Sequence, residues 1–193
     1  MKRLILSTLT AAILGASAAA SADNLSIGFA DPLSSLDPQL NNHAGDRSVA
    51  LHFWDLLIEN KWNKLQPGLA VSWKALDPTT WEFKLREGVK WQDGTPFTAD
   101  DLIYSYTRAR AVPGSVATYA GYLRTIDTMT AKDPLTLIVK TKAPNPDLPL
   151  NLASVHVVSK HVGEKSTTED YNSGKAMVGT CLLYTSPSPR DQR

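Results

Sequence analysis

Residues 69–102 read LAVSWKALDPTTWEFKLREGVKWQDGTPFTADDL. Trp81, Phe83 and Leu85 alternate there with Glu82, Lys84 and Arg86. A two-residue period puts the apolar set on one face and the charged set on the other. The segment is therefore a half-buried strand of the antiparallel kind. Asp93-Gly94 is a turn signal, closed by Pro96. Thr98 then opens a helix. Asp101, three residues on, places a carboxylate where the first turn has free N–H groups, much like a capping box. The adjacent pair Asp100-Asp101 is read as dipole stabilisation and not as an acid/base pair, because neighbouring helical residues diverge. Leu102, Ile103, Tyr106 and Ala109 give this helix its apolar stripe, and Pro113-Gly114 ends it. Trp73, Trp81 and Trp91 bring large apolar area to one core.

Upstream, Leu25, Ile27 and Phe29 alternate with polar or small residues and predict a strand. Asp31-Pro32 and Asp37-Pro38 punctuate the loop after it. From Asp46, apolar residues at Val49, Ala50, Phe53, Trp54 and Leu57 follow helical spacing, with Asp46 expected as the cap. Pro67-Gly68 breaks the chain. Downstream, Leu135, Leu137 and Val139 predict a strand. Pro144, Pro146 and Pro149 stiffen a connection and disfavour a helix. Val155, Val157 and Val158 predict one more strand. No internal repeat is evident. Strands and helices mix without strict βαβ order, so the fold class is α/β, in the mixed α+β sense.

The two ends differ from this body. Met1-Lys2-Arg3, an apolar run from Leu4 to Ala16 and Ala20-Ser21-Ala22 form the pattern of a secretory signal peptide over residues 1–22. The run is too short to span a bilayer. Export with cleavage near Ala22 and a mature chain from Asp23 are expected. At the other end, residues 181–191 read CLLYTSPSPRD. A transposase adapter used in shotgun sequencing translates, in one frame, to this string. Residues 181–193 are therefore expected to be a non-native tail, with Thr180 the last genuine residue. A natural Ser/Pro-rich tail is the other reading.

The 193 residues carry 20 Lys+Arg, 19 Asp+Glu and one cysteine, and 42% are hydrophobic. That apolar share suffices for a core and excludes bulk disorder. Without Lys2, Arg3, Arg190, Arg193 and Asp191, 16 basic and 18 acidic residues remain, a net charge of −2. The lone Cys181 goes with the tail. Such a body gives no electrostatic case for nucleic acid or anionic lipid. It also excludes a disulfide scaffold and a multi-cysteine metal site.

Catalytic patterns are missing from the sequence. There is no G-x-S-x-G elbow, no H-E-x-x-H, and no phosphate-binding glycine loop. The histidines are His43, His52, His156 and His161. The last two are five apart, a poor ligand spacing on a helix. No metal, cofactor or enzymatic activity is expected.

The 69–102 stretch resembles the peptide/nickel-type extracellular solute-binding proteins, family 5, of ABC importers. That family's pattern is L-A-x-S-W, an aromatic strand of type W-x-F-x-L-R, then G-V-K-W/F-x-D-G-T-P-F-T-A-x-D. Ser35-Leu36-Asp37-Pro38, the segment Tyr119-Ala120-Gly121-Tyr122-Leu123 and Val178-Gly179-Thr180 agree as well. The resemblance implies a fold like periplasmic binding proteins of type II, of which this chain would hold the N-terminal lobe only. Residues 23–42 would begin a first domain, 43–159 would be a domain inserted into it, and 160–180 would return to it.

By the same resemblance, the chain would be the periplasmic binding component of an importer. It would capture a small peptide or similar solute, as a monomer, and deliver it to an inner-membrane permease and ATPase complex. The backbone of Leu33, Ser34 and Ser35 would pair with an extended ligand, and Tyr119 would line the cleft. Oligopeptide binders often carry a histidine where this chain has Leu152, a departure from the pattern. A secreted hydrolase, or a sensory or chaperone-like protein on the same fold, is the alternative.

Overall fold

The computed structural model describes residue 28 and residues 31–180. The expected signal peptide, the strand through Leu25, Ile27 and Phe29, and the tail 181–193 lie outside the described residues.

A four-stranded antiparallel sheet forms the centre, in the order β3 (Ala70–Asp77), β4 (Thr80–Leu85), β6 (Thr136–Thr141), β5 (Ile126–Asp133). It consists of two hairpins side by side. Both turn on Asp-Pro-x-Thr: Asp77 Oδ1 accepts the Thr79 N–H at 2.8 Å, and Asp133 Oδ1 accepts the Leu135 N–H at 2.9 Å. An aspartate that folds back on the backbone two residues on is a self-contained turn. Both hairpins also have register shifts at their two ends. This local repeat was not evident in the sequence, because the two hairpins share turn chemistry and little else.

The central strands carry the core. Trp81 pairs with Val139 and Phe83 with Leu137, so these side chains share a face. As the alternation predicts, Phe83 and Leu85 are buried while Lys84 is exposed. Glu82 departs from the pattern. It is buried on the opposite face, between Lys74 at 3.5 Å and Lys132 at 3.8 Å.

Helix α2 (Ala99–Arg108) packs against β5 and β6. It starts as expected, with the Thr98 N–H donating to Asp101 Oδ2 at 2.9 Å. The other Asp101 oxygen accepts the Lys160 N–H at 2.9 Å, so one carboxylate fixes two segments. Leu102, Tyr106 and Ala109 are fully buried. Trp91 is buried in the same core, and Trp73 and Trp81 pack against it half-buried. The Asp93-Gly94 turn forms, with Thr95 N–H on Asp93 Oδ1 at 2.9 Å and Gly94 at a φ of 85°.

Three expectations are corrected. Helix α1 spans Ala44–Ala50, so it starts before Asp46 and ends before Trp54; Asp46 is not its cap. The valines 155, 157 and 158 are buried but form no strand. Only a single bridge joins His156 to Leu56, and the Val158 N–H goes to Ser105 Oγ at 2.9 Å. A short helix, α4 (Leu148–Leu152), does form at the proline-rich connection. Pro149 sits in its first turn, where a missing N–H costs nothing.

The remaining elements are short. β1 (Ile58–Lys61) and β2 (Lys64–Pro67) make a separate hairpin. α3 (Ala120–Leu123), α5 (Lys160–Gly163) and α6 (Thr168–Asn172) complete the described chain. Among the described residues no helix is long and apolar enough to cross a membrane.

Candidate functional site

The segment 31–42 has no regular secondary structure, yet it is held at many points. Asp37 is its deepest anchor. Its carboxylate takes Arg108 Nη1 at 2.9 Å and Nη2 at 2.6 Å, and Thr168 Oγ1 at 2.9 Å. The guanidinium also lies over the Tyr171 ring, 4.8 Å from its centroid. Burial on its own would lower the Arg108 pKa, but the Asp37 carboxylate outweighs it and holds the guanidinium above its usual value. A fork-to-fork pair of this kind fixes orientation as well as distance. It joins the segment to α2 and α6.

Gln39 continues the attachment. Its side-chain amide donates to the carbonyls of His156 at 2.8 Å and Ser105 at 3.2 Å, and its oxygen accepts from Arg108 at 3.1 Å. Both side-chain polar atoms of the buried Gln39 thus meet partners, as burial requires.

Of the expected site residues, Leu33 is 44% exposed and Ser34 is exposed, whereas Ser35 is buried. Tyr119 is fully buried, and its hydroxyl donates to the Asn41 carbonyl at 3.4 Å. Burial holds the Tyr119 hydroxyl at a pKa of about 12, so it stays protonated and can donate. The Tyr119 and Tyr122 rings lie 6.3 Å apart, and Tyr122 accepts from Asn42 Nδ2 at 3.1 Å.

Asn41 links these two sets. Its amide nitrogen donates to Ser34 Oγ at 3.1 Å, and its carbonyl receives Tyr119. The structure thus brings Ser34 and Tyr119, 85 positions apart in the numbering, onto one residue that the sequence reading did not single out. Leu152 is fully buried and joins the main core.

A concavity of about 190 Å³ lies nearby, lined by Arg47, Leu51, Leu56, Asn60 and His156 among others. His156 is buried, and neither ring nitrogen completes a hydrogen bond, although the Pro38 carbonyl weakly favours protonation. Burial, aided by the positive charge of Arg47, pushes its pKa down to about 3. The ring is neutral at neutral pH. Among the described residues no group of three or more His, Cys, Asp or Glu could hold a metal ion.

Comparison with known proteins places the fold. The family described as "Bacterial extracellular solute-binding proteins, family 5 Middle" matches residues 64–180. The periplasmic oligopeptide-binding protein OppA of Salmonella typhimurium is 36% identical over 135 residues, which cover 64% of this chain and 25% of that protein. Among solved structures, OppA of Burkholderia pseudomallei superposes with a TM-score of 0.68 at 26% identity, over 76% of this chain and 32% of that one. The murein tripeptide-binding protein MppA of Escherichia coli gives 0.68 at 27% identity, over 78% and 33%. The chain thus spans about a quarter of the curated relative and a third of the solved ones.

Proposed function

The chain belongs to the bacterial extracellular solute-binding proteins, family 5, and from that premise we propose that the complete protein captures short peptides or similar solutes in the periplasm for an ABC importer. It performs no chemistry on the ligand. Energy for transport comes from the importer's ATPase, and the bound solute passes to the inner-membrane permease.

The observation that carries this reading is the held segment beside Asn41. Leu33, Ser34 and Ser35 run past the buried Tyr119, and the Asp37–Arg108 pair and Asn41 keep them in place. A backbone already held in place binds an added strand at low entropic cost. The Ser34 N–H is taken up internally, by Asp46 at 2.7 Å, so pairing falls to Leu33 and Ser35. Residues 23–42 and 160–180 belong to one domain in this reading, with 43–159 inserted between them. A second lobe, beyond the stretch shared with the relatives, closes over the ligand.

The test is thermal. A ligand that binds only the native state raises its stability, by about 2.7 kcal/mol at a hundred times Kd. Melting of the complete protein with a panel of di- to pentapeptides should show such a rise for some of them. Unchanged melting across the panel would remove the peptide reading.

A further inference from the structure

We propose that Asp46 is a positioning residue for the ligand-pairing backbone. This rests on the peptide-capture reading above.

A carboxylate in the first turn of a helix ordinarily serves the free N–H groups of its own helix. Asp46 points out of α1. Its Oδ1 accepts the Ser34 N–H at 2.7 Å and its Oδ2 accepts Ser34 Oγ at 2.5 Å. Asp46 is 4% exposed, whereas Ser34 is exposed. Water could satisfy the Ser34 N–H at no cost in burial. A desolvated carboxylate committed to it has a different effect, because it fixes where the backbone runs.

A second side chain repeats the contact two residues on. Asn172 Oδ1 accepts the Leu36 N–H at 2.8 Å and Ser35 Oγ at 2.8 Å. In an extended chain, N–H groups two residues apart face one edge. In this proposal Asp46 and Asn172 hold that inner edge of residues 34–36, as a neighbouring strand would. The same period turns the backbone groups of Leu33 and Ser35 to the outer edge. There an extended ligand meets them without competition from Ser34.

Two substitutions in the complete protein separate this from a helix-dipole role. Asp46→Asn keeps an acceptor for the Ser34 N–H and a partner for Ser34 Oγ, but it loses the charge. Asp46→Ala loses all three. The probes are amide exchange at Ser34 in the peptide-free protein and calorimetric affinity for trialanine. Asp46→Ala should speed Ser34 exchange and weaken trialanine binding, each by about tenfold, the size of one charge-assisted hydrogen bond. Asp46→Asn should recover most of both.

Two results would overturn the proposal. One is Ser34 exchange that Asp46→Ala does not change. The other is equal loss of affinity in both variants, which is the mark of a dipole effect. A wild-type protein that ignores trialanine counts against the peptide reading, and Ser34 exchange still decides whether Asp46 holds the segment.

Discussion

Asp37 and Arg108, 71 residues apart in the chain, meet in the interior through hydrogen bonds of 2.9 and 2.6 Å. The Asp37 side chain is fully buried and that of Arg108 is 12% exposed. Removing one partner would strand the other charge away from water. Arg108→Ala should cost about 3–5 kcal/mol, read as a drop in the urea midpoint. Arg108→Lys should recover little of it, because an ammonium cannot form the fork. Full stability in Arg108→Ala would mean that the pair does not hold the 31–42 segment.

His156 sets the pH response. Its folded pKa is about 3, against a usual 6.5. Between these values the unfolded chain takes up a proton that the folded chain refuses. Its contribution is complete above pH 6.5 and is lost as the pH falls, by up to about 1.4 kcal/mol per unit. Asp77, Asp133 and Asp170, whose pKa values are lowered from 3.8, lose their contribution only below that value. Asp55, raised by burial, works in the opposite sense above 3.8. Urea unfolding between pH 5 and 6.5 should therefore show a slope that His156→Leu flattens.

Gly179 is fixed by contact. A Cβ there would lie 1.6 Å from the Phe53 carbonyl oxygen. The Gly179 backbone also exchanges hydrogen bonds with Gln92, its carbonyl at 3.0 Å and its N–H at 3.3 Å. Gly179→Ala must push this segment away, at a cost of at least about 1–3 kcal/mol. Faster amide exchange at Gln92 should report it.

Trp62 makes the opposite case. It is 94% exposed at the tip of the β1–β2 hairpin, with a φ of 55°. A bulky side chain in that left-handed region carries strain of about 1–2 kcal/mol. Trp62→Gly removes the strain and no burial, so it should leave stability unchanged or raise it by up to about 1 kcal/mol in chemical unfolding. A marked loss would show that the tip is packed.

The sequence exposed those parts of the fold whose signal is local. The alternation at Trp81–Leu85, the Asp93-Gly94 turn and the Thr98–Asp101 start of α2 each need only neighbouring residues. The edge strands β3 and β5 escaped because most of their residues face solvent and show no clean alternation. The valines at 155–158 imitate a strand because they are buried on every side, while their N–H groups find Ser105 Oγ and the Asp55 carbonyl. Asp46 and Asn41 escaped for another reason. An aspartate near a helix start reads as a cap until its contact twelve residues upstream is known. Asn41 gains meaning only once the fold brings Ser34 and Tyr119 to it.

Capture of ligand by the complete protein tests the central claim most directly. The complete protein would be expressed, incubated with a defined pool of di- to pentapeptides, desalted, and analysed by native mass spectrometry. The account predicts one peptide per protein molecule, with none retained by residues 23–180 alone. A complete protein that retains no peptide, or tight retention by residues 23–180 without a second lobe, would contradict it.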